Sequence, residues 1–176
     1  KLGNDMSSAS FGIKKDGTLW VWGKANLGSS GLGGAGLYNF QSNTPVQVGT
    51  DTDWAEVCPG GSHTVALKTN GTLWTCGRNN NGQLGTNNMT DYNIFTQIGS
   101  NTDWSKIWAA VNASSAITTD GKLFTWGAYA QGGRNNQTVE SSPVQVGGAE
   151  WSKTTLGDSF SLAVKLDGTL WSWGGN

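Results

Sequence analysis

The feature that most constrains this chain is one phrase that it repeats four times. Phe11-Gly-Ile-Lys-Lys-Asp-Gly-Thr-Leu-Trp-Val-Trp-Gly23 returns as Val65–Gly77, Ser115–Gly127 and Leu162–Gly174. The central glycines, Gly17, Gly71, Gly121 and Gly168, lie 54, 50 and 47 residues apart. Two further landmarks recur between them in fixed order. Pro45-Val-Gln-Val-Gly49, Phe95-Thr-Gln-Ile-Gly99 and Pro143-Val-Gln-Val-Gly147 form one, and Asp53-Trp54, Asp103-Trp104 and Glu150-Trp151 form the other. Nine of the ten tryptophans occupy repeat positions, with Trp108 the exception, so the repeat governs where the aromatic mass goes. A period of this length marks one supersecondary unit per repeat, and such units bury their faces by stacking on neighbours.

The local chemistry is that of strands. Asp-Gly or Asn-Gly between two alternating runs predicts a hairpin, with a type I′ turn whose central residues both need positive φ. Before each turn, Ile13, Leu67, Ile117 and Val164 share one register, while Gly12, Ala66, Ala116 and Ala163 share the next. Successive side chains of a strand point to opposite faces, so one face is bulky and the other small. The small column lets a neighbouring sheet approach closely. After each turn comes Leu19, Leu73, Leu123 or Leu170, then an aromatic, Trp20, Trp74, Phe124 or Trp171. These aromatics are expected to fill the gaps between sheets. With the Gln-Val-Gly segments and the stretches after each Asp-Trp, a repeat holds about four strands in ~50 residues, which fits a propeller blade. The expected fold is all-β, a partial β-propeller of about four four-stranded blades, with repeats at 1–54, 55–104, 105–151 and an incomplete 152–176.

Composition narrows the function. Charged residues make up 13%, the net charge is -1 and the pI is about 5.7. No basic stripe exists to attract a phosphate backbone, which argues against nucleic acid as a partner. The longest apolar run, Ile107–Val111, is far short of a membrane span. Solubility rests on Asn, Thr, Ser and Gly, a composition common in proteins that work outside the cytosol.

The repeated residues resemble the regulator of chromosome condensation repeat family, whose hairpin carries Asp-Gly, an aromatic and Trp-Gly, followed by an Asn-x-x-Gly-Gln-Leu-Gly loop. The second repeat matches best, through Gly61-Ser-His-Thr-Val-Ala-Leu67, Asn70-Gly-Thr-Leu-Trp74 and Asn81-Gly-Gln-Leu-Gly85. The Asp-Gly-Thr-Leu-Trp-x-Trp-Gly form is similar to bacterial and phage-type members. The resemblance implies a seven-bladed ring, which at this period needs roughly 350 residues. The chain is therefore expected to be part of a longer protein, or to complete a ring with a second copy. Departures are a longer Gly-rich segment, Gly28–Gly36, in the first repeat, Gln131-Gly-Gly-Arg134 in the third, and Cys76 where Trp is the rule.

Few residues carry reactive chemistry. His63 is the only histidine and falls on the family's usual His position, so it is expected to be structural, bonded to a loop. Cys58 and Cys76 belong to non-adjacent strands, too far apart for a disulfide, and are expected to be small buried hydrophobes. Asp16, Asn70, Asp120 and Asp167 are turn formers and not calcium ligands. The Gly28–Gly36 segment lacks the Lys and helix of a phosphate loop and reads as a flexible surface loop. Tyr38, Phe40, Tyr92 and Tyr129 break the repeat pattern in the variable loops, and aromatics there are the candidate binding residues. No catalytic residue, metal or cofactor is expected.

These readings converge on a non-enzymatic structural or binding module, on a virus particle or cell surface, making protein–protein or receptor contact. Its partners would be a protein or surface receptor, other copies of itself or other virion proteins. The alternatives are a nucleotide-exchange regulator of a small GTPase and a secreted propeller-type enzyme inhibitor.

Overall fold

The computed structural model describes residues 9–34, 39–128, 138–148 and 150–174, which form fourteen strands in four antiparallel sheets. Blade 1 holds β1 (Ala9–Ile13), β2 (Leu19–Ala25) and β3 (Phe40–Gln47). Blade 2 holds β4 (Trp54–Pro59), β5 (His63–Lys68), β6 (Leu73–Gly77) and β7 (Tyr92–Gln97). Blade 3 holds β8 (Trp104–Ala109), β9 (Ala113–Thr118), β10 (Leu123–Gly127) and β11 (Glu140–Val146). Blade 4 holds β12 (Trp151–Leu156), β13 (Phe160–Lys165) and β14 (Leu170–Gly174). Each sheet runs in chain order, so it is a meander. The two middle blades have the expected four strands, and the outer two have three among the described residues. β4 packs on β8 and β8 on β12, so the first strands of successive blades converge on the inner side of the arc. This is a partial β-propeller.

The hairpins centre on the repeated glycines, but the turn is not type I′. Gly17 N–H donates to Lys14 O and Lys14 N–H to Thr18 O, and the same pair of bonds recurs at Lys68–Thr72, Thr118–Lys122 and Lys165–Thr169. Only the glycine of each loop has positive φ, for example +80° at Gly17 and +76° at Gly71; Asp16, Asn70, Asp120 and Asp167 do not. This is a three-residue loop, a type I turn closed by a glycine bulge. The acid serves the exit of the turn: Asp16 Oδ1 accepts from the Thr18 N–H and hydroxyl, and Asn70 and Asp167 do the same for Thr72 and Thr169. The threonine hydroxyl then accepts the indole N–H of Trp20, Trp74 or Trp171. Blade 3 has Lys122 instead of Thr and Phe124 instead of Trp, so the hydroxyl and the N–H it would satisfy are lost together. Glycine is also needed for space. A Cβ on Gly71 would sit 2.1 Å from Thr102 O, because the segment entering the next blade crosses the turn and Trp104 N–H donates to Gly71 O.

Stacking follows the bulky and small columns. Leu73, Val65 and Leu67 of blade 2 meet Trp104, Ile107 and Ala116 of blade 3 in one core cluster. Leu19, Val21 and Phe11 of blade 1 likewise meet Trp54 and Ala66 of blade 2, and Leu123 and Ile117 of blade 3 meet Trp151 and Ala163 of blade 4. A bulge after each leading tryptophan turns Trp104 and Ile107 to the same face, three residues apart. Leu19, Leu73 and Leu123 are all fully buried; each contributes about 1.5–3 kcal/mol relative to an exposed Leu. Leu170 is 67% exposed, because no described sheet lies on that face of blade 4.

Candidate functional site

The side chains with the most specific polar geometry lie at the seams between blades. At the seam of blades 2 and 3, the loop after β6 is drawn inward by Asn79. Its Oδ1 accepts from Leu84 N–H and its Nδ2 donates to Asn88 O, so Gln83 and Leu84 become fully buried. The Gln83 carbonyl then points at blade 3. It accepts the Ser114 hydroxyl and the Trp126 indole N–H, both at 2.9 Å. Gly85 allows this approach, since a Cβ there would lie 2.8 Å from Trp126 Nε1.

The seam of blades 1 and 2 repeats the device with other residues. Ser29 O accepts the Thr64 hydroxyl at 2.8 Å and the Cys76 thiol at 3.6 Å. Gly28-Ser-Ser-Gly31 thus stands where Gly82-Gln-Leu-Gly85 stands in the next unit. Ser29 and Ser30 are each 1% exposed, so this part of the glycine-rich segment is a buried clasp and not the flexible surface loop expected; burial of Ser29 is enforced by Thr64, on a strand thirty-five residues downstream. The departure of Cys76 from Trp is compensated. The ring on loop residue Gly31 comes from Phe95 of β7, whereas the ring on Gly85 is Trp126 of β10. In blade 3 the counterpart of Phe95 is the smaller Pro143. Cys76 is buried, which drives its thiol pKa above the ordinary value, so it is an inert thiol. Cys58 is only half-buried, a correction to the reading of both cysteines as buried; the two flank β5 on opposite sides and are not joined.

His63 is fully buried at the start of β5, and its Nε2 lies 2.8 Å from Ser114 Oγ. The expected loop partner is thus a side chain on β9 of the next blade. A serine beside a histidine invites a nucleophilic reading, but the hydrogen count opposes it. Ser114 has one hydroxyl hydrogen, and Gln83 O takes it. Nε2 must then donate, which leaves no base directed at the serine. Burial lowers the His63 pKa to about 4, so the ring is neutral at ordinary pH. The pair is a strut between blades.

On the turn-bearing side of blade 2, Lys68 Nζ pairs with Asp51 at 2.6 Å and Asp53 at 3.0 Å, and lies 4.8 Å and 4.6 Å from the Trp54 and Trp74 ring centroids. Burial alone would lower its pKa; the two carboxylates together outweigh that and raise it. Among the described residues no three His, Cys, Asp or Glu side chains gather as a metal site.

A groove of about 380 Å³ opens between blades 2 and 3. Trp104 and Phe124 form its aromatic wall, with ring centroids 5.0 Å apart and an interplanar angle of 78°. Asn87 and Asn101 stand at its exposed rim. The sequence reading missed this site. Its signal was present as Pro143 in place of Phe95, and Phe124 in place of Trp74.

The four loop aromatics do not assemble. Phe40 opens β3 and is 6% exposed within the core of blades 1 and 2, which corrects its placement in an exposed loop. Tyr92 opens β7, half-buried, with its hydroxyl 3.2 Å from Asn88 Nδ2. Tyr38 and Tyr129 lie outside the described residues.

Meandering blades clasped in sequence by inter-blade loops define a propeller-type repeat protein, and the comparisons agree. The family model for the regulator of chromosome condensation (RCC1) repeat matches residues 70–115, and a second model of the same repeat matches 56–83. Residues 56–115 thus match the RCC1 repeat. A zebrafish (Danio rerio) "Protein RCC2 homolog" is 38% identical over 80 residues, which is 45% of this chain and 16% of that protein. The crystal structure of human WBSCR16 superposes with a TM-score of 0.79 at 19% identity, over 95% of this chain and 45% of that one. Yeast RCC1 (Prp20), solved with Kap60 bound, gives 0.80 at 17% identity, over 99% of this chain and 43% of that one. The chain thus spans less than half the length of these proteins.

Proposed function

We propose that the chain is a non-enzymatic propeller module that binds other proteins, displayed on a virus particle or cell surface. The observation that carries the binding reading is the clasped stack itself. It fixes backbone loops and blade edges rigidly in space, and its one histidine is spent on the strut to Ser114. Rigid scaffolds presenting loops are the usual basis of recognition. The similar structures point the same way: yeast Prp20 was solved with Kap60 bound, and that protein is described with binding properties to Gsp1p and histones. For the surface setting, support comes from the low charged fraction of 13% and the polar uncharged loops. A receptor or virion protein is the partner this setting suggests.

Two measurements test the reading. The full chain, added at stoichiometric concentration to a small GTPase loaded with fluorescent GDP, should leave the release rate unchanged. An acceleration of tenfold or more would replace the proposal with an exchange-factor role. Amine labelling of intact particles or cells with a membrane-impermeant reagent should modify the chain's exposed lysines, and protection until lysis would remove the surface assignment.

A further inference from the structure

The two seams act as templates for each other. At the first, the Phe95 ring lies 5.0 Å from Trp54, and the Trp54–Trp74 pair at 6.1 Å completes an aromatic cluster. At the second, the position of Phe95 is taken by Pro143, Phe124 is the one ring paired with Trp104 among the described residues, and the groove opens at that point. Trp126 occupies the part of this space over Gly85, which leaves the part against Trp104 open.

We propose that this groove receives an aromatic side chain carried on an uncharged, extended segment of a protein partner; the inference rests on the protein-binding reading and names where it happens. The chain itself shows which group fits, because one seam away a ring from its own β7 fills the equivalent place. Rings prefer the edge and offset contacts that the perpendicular Trp104–Phe124 pair offers to a third member. None of the residues lining the groove is charged. A lysine or carboxylate entering it would lose hydration without a counter-charge, so the occupant is neutral. Asn87 and Asn101 at the rim, with Ser142 on β11, supply amide and hydroxyl groups to a backbone passing across the opening. Asn87 is held there in a left-handed conformation, φ 60°, with its N–H donated to Ser141 O, so the rim is built before a ligand arrives.

The test is a titration of the ¹⁵N-labelled full chain with the blocked peptide Ac-Gly-Ser-Phe-Ser-Gly-NH₂. The Trp104 indole N–H, buried with no acceptor among the described residues, is the reporter. Saturable shifts are expected there and at the Gly85 and Asn101 amides. Peptides with Ala or Lys in place of Phe should bind at least tenfold more weakly. Pro143→Phe, which fills the groove as Phe95 fills its counterpart, should abolish the shifts; Pro143→Ala, which leaves it open, should keep them. If Pro143→Phe does not fold, Asn101→Trp blocks the rim and must do the same. Binding that survives both blocking variants, equal binding of the Ala peptide, no saturable shift in the millimolar range, or shifts with N,N′-diacetylchitobiose alone would each overturn the proposal. Such failures leave the protein-binding reading intact, since the exchange and labelling measurements on the whole chain test that reading without this groove.

Discussion

Seams 1–2 and 2–3 share a backbone clasp but supply the ring that lies on it from different strands. In the first, the strand next to the clasp contributes Cys76 and the outer strand contributes Phe95; in the second, they contribute Trp126 and Pro143. In both, the same loop carbonyl is the acceptor, Ser29 O or Gln83 O. The repeat therefore preserves a hydrogen-bond acceptor and a ring-sized volume more strictly than it preserves residue types. The cost of using Trp126 is the open groove beside Trp104; the cost of using Phe95 is a thiol hydrogen bond of 3.6 Å in place of an indole bond of 2.9 Å.

The largest effect that could break this comparison is Trp126→Cys, which gives seam 2–3 the small residue of seam 1–2 without its ring. Trp126 is 1% exposed, so a loss of about 3–5 kcal/mol in urea denaturation is expected. Adding Pro143→Phe in that background should restore about 1–2 kcal/mol, a coupling that independent sites would not show. If the double variant is no more stable than Trp126→Cys, the two residue pairs are not alternative solutions to one packing problem.

A second prediction separates the seams by pH. Ala9 holds the place of His63 at seam 1–2, so only seam 2–3 carries a buried imidazole. The His63 pKa of about 4 lies below the value near 6.5 of an unfolded chain. Above pH 6.5 the ring is neutral in both states, and its full contribution is present. As pH falls toward 4 the unfolded chain binds the proton first, so stability declines; below 4 the decline levels off, after a total of about 3 kcal/mol. The exposed carboxylates of Asp16 and Asp167, whose pKa values are lowered chiefly by hydrogen bonds from Thr18 and Thr169, add losses at the acid end. The difference between the chain and His63→Gln isolates the histidine. Between pH 6.5 and 4 that difference should shrink, and amides of β5 and β9 should exchange faster than those of β1 and β2. A constant difference would show that the ring stays solvated.

Much of the fold was legible because it rests on local chemistry repeated four times. The glycine-centred hairpins and the bulky and small columns follow from the alternation of Ile13, Gly12 and their counterparts, and the structure stacks them as that alternation requires. The turn type was not legible. Asp-Gly serves a two-residue loop or the end of a three-residue one, and no side chain of the repeat separates the two: the bond from Thr18 back to Asp16 supports the latter in blade 1, yet blade 3 makes the same loop with Lys122 in place of the threonine. The first clasp was hidden because Ser29 and Ser30 read as linker, and their burial depends on residues of the next blade. Its Gly-x-x-Gly spacing, shared with Gly82–Gly85, was the available sign. The groove was hidden for the same reason: it is a difference between two positions roughly one repeat apart, and no single stretch of chain contains it.

The smallest effect tests the turn relay, where blades 2 and 3 differ again. Thr72 Oγ1 donates to Asn70 Oδ1 at 2.7 Å and accepts from Trp74 Nε1 at 2.8 Å. Thr72→Val keeps the shape and removes both bonds, leaving the half-buried indole N–H without a partner, so a loss of about 1 kcal/mol is expected. Blade 3 has no indole at Phe124, and Lys122→Thr there removes a pair with Asp120 in which both side chains are about half exposed. Such a pair is worth little, and the change should stay within about 0.5 kcal/mol. The Trp74 indole N–H resonance should move upfield in Thr72→Val and stay in place in Lys122→Thr. If both variants match the unmodified chain in stability, the joint loss of threonine and tryptophan from blade 3 would not be tied to that hydrogen bond.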